Sequence, residues 1–175
     1  MYPLTRLLST SVRSQFSKPL KFDDQCTTIF WCRPWDLDMF MEMNNGRVLS
    51  LYDLGRFDLS IRSGLWSTLR ENRWGLVVAG STIQYRKRVR MFDRVTMKTQ
   101  LEYIDDKWMY LRQSMWVRGK PASSVIIRSA VTEKGRLVSP ERVRKALNAE
   151  DLAPVPSEWL KSWIESEKQR PWPPV

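Results

Sequence analysis

The sequence predicts an α+β protein in which an antiparallel sheet wraps around a long central helix, and three observations carry that expectation. First, residues 46–64 place Val48, Leu51, Tyr52, Gly55 and Leu59 on one helical stripe, with Leu49, Leu54, Phe57 and Ile61 widening it. A helix apolar over most of its girth needs cover on several sides. Second, the period then changes to two. Val77, Ala79, Ser81, Ile83, Tyr85, Lys87 and Val89 alternate with their neighbours, followed by Val95, Met97, Thr99, Leu101 and Tyr103. Third, the connections between these strands are hairpin-short, so consecutive strands are expected to be antiparallel neighbours. One sheet covers only part of such a helix, and a second copy of the chain, paired edge to edge or face to face, is the expected remedy.

In chain order, Leu4, Leu7, Leu8, Val12 and Phe16 recur at helical spacing and predict a short amphipathic helix. Residues 27–33 are rich in β-branched and aromatic side chains and stop at Pro34, which predicts a first strand. Asn44 or Asn45 supplies a capping oxygen for the long helix, Gly64 ends it, and 65–73 adds a turn or two. After the sheet segment to Tyr103 come a turn at Asp105-Asp106, a strand over 108–118, a turn at Gly119-Lys120-Pro121 and a strand over 123–133. Ser139-Pro140-Glu141 joins a capping hydroxyl, a first-turn proline and an acid, and starts a helix to about Leu147. Residues 149–157 form a linker, 158–169 a small helix around Trp159, Leu160, Trp163 and Ile164, and Pro171-Trp172-Pro173-Pro174 a tail. The expected organisation is a basic extension over 1–22, one domain over 23–148, and a linker with a short helix over 149–175.

Composition narrows the chemistry. A chain of 175 residues with 42% apolar and 27% charged residues suits a single folded domain. No apolar run approaches the roughly 20 residues that span a bilayer. Two cysteines, Cys26 and Cys32, are too few for a disulfide framework, and a reducing compartment is the default. With no histidine, neither a Ser-His-Asp nor a Cys-His centre can form, the usual zinc constellations are excluded, and no metal site or cofactor is expected. Acid–base work falls to carboxylates, Lys, Tyr or bound water. The net charge of +10 favours polyanionic partners, among them phosphorylated cofactors, anionic membrane surfaces and nucleic acids. No nucleic-acid motif is present, and nucleic acid is not an expected partner. Residues 1–22 carry Arg6, Arg13, Lys18 and Lys21 with no acid. Such a leader is similar to an organelle transit peptide, implying an organelle matrix. The other reading is an extension that packs on the domain or touches a membrane peripherally, and the location expected for that case is cytoplasmic.

The most informative stretch is 36–45, where two carboxylates, Asp36 and Asp38, lie one residue apart between the first strand and the long helix. A helix start offers unpaired N–H groups and partial positive charge, which stabilise an oxygen that becomes anionic in acyl transfer. The order of strand, Asp-x-Asp, Asn-Asn, long helix and basic Tyr85-Arg86-Lys87-Arg88 strand resembles the hot-dog fold of the 4-hydroxybenzoyl-CoA thioesterase-like superfamily, over roughly 27–147. It is most similar to the branch that includes thioesterase superfamily member six. Asp36, Asp38, Asn44 and Asn45 match the signature D-x-D-x-x-G-H-x-N-N, while Met41 stands at its glycine and Glu42 at its histidine.

The resemblance implies an acyl-CoA thioesterase that releases free acid and coenzyme A. Asp38 would be nucleophile or base, Glu42 an added base or a charge acting on Asp38, and Met43, Asn44, Asn45 and Gly46 the oxyanion-holding helix start. Leu51, Tyr52 and Leu59 would line an acyl tunnel, while Arg86 and Arg88 would meet the phosphates of coenzyme A. Strand alternation sends Lys87 to the opposite face. The assembly would be a homodimer or homotetramer. Against these roles stand plainer ones: Asp38 as a turn residue or cap, Asp36 as a loop-orienting group, Asn44 and Asn45 as caps, and the arginines as a solvated strand face. The altered Met41 and Glu42 motivate a second expectation, a non-catalytic protein that binds acyl-CoA or lipid.

Overall fold

Residues 2–171 and 173 are described by a computed structural model. Trp172 and Pro174 of the proline-rich tail lie outside the described residues, as do Met1 and Val175. The chain forms α1 (Leu4–Gln15), β1 (Cys26–Trp31), α2 (Asn45–Arg62), α3 (Leu65–Glu71), β2 (Gly75–Tyr85), β3 (Arg94–Ile104), β4 (Met109–Val117), β5 (Lys120–Glu133), β6 (Arg136–Leu137), α4 (Pro140–Ala146) and α5 (Glu158–Lys168). The strands make one antiparallel sheet in the order β1-β3-β4-β5-β2, with β6 on β5.

This is the expected wrapped sheet. Val48, Leu51, Tyr52 and Leu54 of α2 pack on Phe30, Val95, Met97, Met115, Val125 and Ile127 of the strands. Burying each large apolar side chain contributes about 1.5–3 kcal/mol. Asn44 caps α2 by accepting from the Gly46 and Arg47 amides at 2.9 and 3.2 Å, and Gly64 follows the helix at φ 81°, a conformation glycine adopts without strain. On the outer face of the sheet, Leu160 of α5 is sealed against Tyr110 and Ile126.

One expectation about neighbours fails. β3, β4 and β5 form a meander, but β2 pairs with β5 rather than with β3, so two strands separate β2 from the strand that follows it. The connection 86–93 is a crossover. It leaves the sheet at an irregularity where the Arg86 and Lys87 amides both donate to the Ala122 carbonyl, at 2.7 and 3.0 Å. Further along, the Phe92 amide donates to the Cys32 carbonyl and the Cys32 amide to the Asp93 carbonyl. The strand expected to run to Val89 therefore stops at Tyr85, and buried Val89 belongs to the crossover.

The first helix packs on α2 with a largely polar side, on which Leu7 of the expected apolar row also meets the core. Arg6, Thr10 and Ser14 are buried, whereas Leu4, Leu8, Val12 and Phe16 face outward. Ser14 Oγ donates to Asp58 Oδ1 at 2.7 Å, Thr28 Oγ1 donates to Asp58 Oδ2 at 2.6 Å, and the Tyr2 hydroxyl donates to Asp53 at 2.8 Å. The layers are thus sheet, α2 and α1. Because the buried Asp58 carboxylate takes its hydroxyl donors from α1 and β1, the helix is held by hydrogen bonds that a buried charge cannot lose cheaply.

Where α2 crosses the sheet, Gly55 is required for space. A Cβ there would stand 2.3 Å from Thr99 Oγ1, 2.6 Å from Met97 Sδ and 3.0 Å from Gln113 Nε2. Gly55→Ala should gain helix propensity yet lose about 1–3 kcal/mol overall through overpacking. Urea denaturation checks this, and an unchanged or higher midpoint would contradict the close crossing.

Candidate active site

The loop between β1 and α2 is a small hairpin whose register follows from its hydrogen bonds. The Asn44 amide donates to the Asp36 carbonyl at 2.9 Å and the Asp38 amide to the Glu42 carbonyl at 2.8 Å, with Leu37 bridged to Met43. Asp36 therefore opposes Asn44, and Asp38 opposes Glu42. Period two then sends Leu37 and Met43 to the core side and puts Asp36, Asp38 and Glu42 on the other face. The Met41 amide donates to the Asp38 carbonyl at 3.1 Å, and Met41 has φ 59°. That is a tight turn closed by a left-handed residue, a place that suits glycine. Methionine there carries about 1–2 kcal/mol of strain.

The three carboxylates meet different surroundings. Asp36 is fully buried and accepts from Arg6 Nη2 at 2.7 Å, Arg47 Nε at 2.7 Å and the Arg33 amide at 2.8 Å. Burial alone would raise its pKa, but the three donors outweigh burial and hold it below the usual carboxylate value. Glu42 lies 2.8 Å from Arg88 Nε, a charge contact in which Oε2 gains no aligned hydrogen bond. Asp38 is half-buried, accepts only from the Phe40 amide of its own turn, at 2.8 Å, and has no cation within ion-pair distance among the described residues.

The helix start is mostly committed. The Met43 amide donates to the Val89 carbonyl, the Asn44 amide to Asp36, and the Gly46 amide to the Asn44 side chain. Of the four amides from Met43 to Gly46, only that of Asn45 lacks a hydrogen-bond acceptor among the described residues. The expectation of four open amides is therefore corrected to one among the described residues, because strand bridging and self-capping occupy the rest.

Two hollows flank this start. One, about 190 Å³, is lined by Glu42, Asn45, Val48, Tyr85, Ser123 and the consecutive Arg86, Lys87 and Arg88. Lys87 joins its neighbours because the irregularity at Ala122 breaks alternation, contrary to the strand expectation. The other, about 870 Å³, is lined by Tyr2, Leu4, Trp35, Leu37, Asn44 and Gly46 among others. Asp38 lines neither. Leu51, Tyr52 and Leu59 are buried in the core and line neither, since the sheet covers α2 on one side and α1 on another. Tyr52 donates or accepts at Ser123 Oγ, 2.8 Å away.

Sequence reading missed Arg6, Arg47, Tyr85 and Ser123. Only Arg47, next to the Asn-Asn pair, carried a local signal. The thiols are not nucleophiles in reserve: burial pushes Cys26 up to about 12 and Cys32 up to about 11.

With the hairpin and helix start in place, comparison with known proteins gives a consistent result. The thioesterase-like superfamily model matches residues 32–164, and the chain belongs to that superfamily. It is similar to Protein THEM6 of Drosophila melanogaster, 29% identical over 154 residues that cover 86% of this chain and 78% of that protein. In fold it is similar to the probable thioesterase YbaW of Escherichia coli (TM-score 0.65, 22% identity, covering 71% of this chain and 97% of that one). It is likewise similar to a thioesterase of Thermus thermophilus complexed with coenzyme A and zinc (TM-score 0.57, 21% identity, covering 72% and 95%).

The Asp36 cluster generates a pH prediction. A carboxylate whose folded pKa is depressed contributes stability above its unfolded value, about 3.9, and loses it as pH falls through the folded value. Asp36→Asn should cost about 3–5 kcal/mol at neutral pH by removing the buried negative charge that Arg6 and Arg47 share. It should also flatten the fall of stability below about pH 4. Thermal unfolding from pH 7 to pH 3 reads both, and an acid limb as steep as that of the parent chain would remove Asp36 as its source.

Proposed function

We propose that the chain hydrolyses an acyl-CoA thioester with Asp38 as the working carboxylate. The observation that carries this reading is the unequal pairing of the three hairpin carboxylates: Asp36 and Glu42 each have arginine partners, and Asp38 has none among the described residues. Asp38 remains available to take a proton from water or to attack a carbonyl carbon. In the general-base course Asp38 takes a proton from water, the water oxygen bonds to the carbonyl carbon and negative charge moves to the carbonyl oxygen. As that charge returns the C–S bond breaks, the coenzyme A thiolate leaves and recovers the proton, and the free acid is released. If Asp38 attacks directly, the same sequence leaves an acyl anhydride on Asp38, which a water then opens to the free acid. The Asn45 amide at the start of α2 would receive the oxyanion, a kind of donor that contributes about 3–4 kcal/mol to lowering such barriers. Arg86 and Lys87, with Arg88 shared with Glu42, line the hollow beside it and offer positive charge for the phosphates of coenzyme A. The bound coenzyme A of the Thermus thermophilus protein supports a ligand of this class.

A homodimer is part of the same proposal. β2 is an edge strand of 11 residues with exposed Leu76, Val77 and Val78, a length of open, apolar edge that chains rarely leave unpaired. Multi-angle light scattering should return at least twice the chain mass, and a monomer at micromolar concentration would remove this part.

Asp38→Asn should lower kcat by at least about 100-fold across a panel of acyl-CoA esters, with unfolding temperature nearly unchanged. Free thiol detected with a chromogenic disulfide is the readout, and unaltered turnover would take Asp38 out of the chemistry. The Glu42–Arg88 contact favours a second reading, acyl-CoA binding without hydrolysis, because it leaves the residue at the family histidine position unable to donate a hydrogen bond. Saturable binding of a CoA ester with no thiol release from the parent chain would select it.

A further inference from the structure

Helix α1 packs Leu7 against the core, but the rest of its buried side is polar and most of its apolar residues face outward. Its outward row, Leu4, Leu8, Val12 and Phe16, is 66%, 68%, 49% and 86% exposed, while Arg6, Thr10 and Ser14 are buried. The helix cannot roll to hide that row without breaking the Arg6–Asp36 ion pair, the Arg6 bond to the Trp31 carbonyl at 3.0 Å and the Ser14–Asp58 bond. Removing one partner of a buried ion pair strongly destabilises the other. The apolar row is thus held in solvent by the fold itself.

The surroundings say what covers it. Residues 1–22 contain no acid, and with Arg6 neutralised by Asp36, the exposed side-chain charges among the described residues of this segment are those of Arg13, Lys18 and Lys21. Small hydroxyl residues, Thr5 and Ser9, lie beside the row and are exposed. Exposed Trp35 lines the same hollow as Tyr2 and Leu4, and the Arg33 guanidinium sits 5.4 Å from its ring centre. An apolar helical row with basic flanks and aromatic residues at one end suits the headgroup region of an anionic bilayer. Two copies of this face would bring basic, acid-free helices together, and the edge open to a second copy is β2, at the far side of the sheet from β1.

We propose that α1 is a peripheral membrane-docking surface, lying flat in the interface of an anionic lipid bilayer with Leu4, Leu8, Val12 and Phe16 inserted and Arg13 and Lys18 against the headgroups. The proposal is independent of whether thioesters are hydrolysed.

The test uses the full chain and sedimentation with vesicles of phosphatidylcholine alone or mixed with phosphatidylserine. The parent chain should sediment with the anionic vesicles. The double variant Leu8→Glu, Val12→Glu should lower the partition coefficient by roughly tenfold or more, and Arg13→Glu, Lys18→Glu should remove the preference for anionic lipid. All four side chains are exposed, so unfolding temperatures should match the parent. Three results overturn the proposal: a parent chain that stays in the supernatant with both vesicle types, a Leu8→Glu, Val12→Glu variant that sediments like the parent, or variants that change the mass in lipid-free light scattering, which would mark the row as a protein contact.

Discussion

The buried carboxylate of Asp36 is the constraint on which the rest depends. Taking one such charge out of water costs several kcal/mol unless donors replace its hydration, and here the donors come from three separate elements. Arg6 arrives from α1, Arg47 from the first turn of α2, and an amide from Arg33, just beyond β1. The carbonyl of the same residue receives the Asn44 amide. One residue therefore sets the entry angle of the central helix, the seat of the N-terminal helix and the width of the hairpin.

That hairpin sorts three acids by register. Because side chains alternate along a β ribbon, Asp36, Asp38 and Glu42 share a face, yet their electrostatic surroundings differ with what packs above them. Helix α1 and Arg47 take Asp36, the crossover brings Arg88 to Glu42, and among the described residues Asp38 keeps only a turn amide. The chemistry proposed for Asp38 follows from that inequality rather than from depth of burial. Met41 turns the hairpin through a left-handed corner, which this chain builds with a side chain that bears its cost.

The order of layers explains the other departures. With the sheet on one side of α2 and α1 on another, Leu51, Tyr52 and Leu59 have no route to solvent, and the hollows open instead at the ends of the helix start. The crossover over 86–93 contributes most of the basic lining of one hollow. The same element therefore ends a strand early and gathers Arg86, Lys87 and Arg88 on one side.

Much of this was legible from local pattern. Period 3.6 over 46–64 and period two beyond Val77 located the central helix and the strands, caps at Asn44 and Ser139 located helix starts, and the Asp-x-Asp to Asn-Asn spacing marked the hairpin that carries the candidate site. The sequence by itself determined the helices and most strand positions, the superfamily and the absence of imidazole chemistry, because each rests on residues close together or on composition; the end of β2 at Tyr85 was set by the crossover. Tertiary structure alone decided that β2 pairs with β5, that Arg6 and Arg88 reach Asp36 and Glu42, and that α1 turns its polar side inward. Those outcomes join residues 30 or more positions apart, such as Arg6 with Asp36 and Glu42 with Arg88. A buried charge takes whatever donor the completed fold delivers, and no spacing rule along the chain records that delivery.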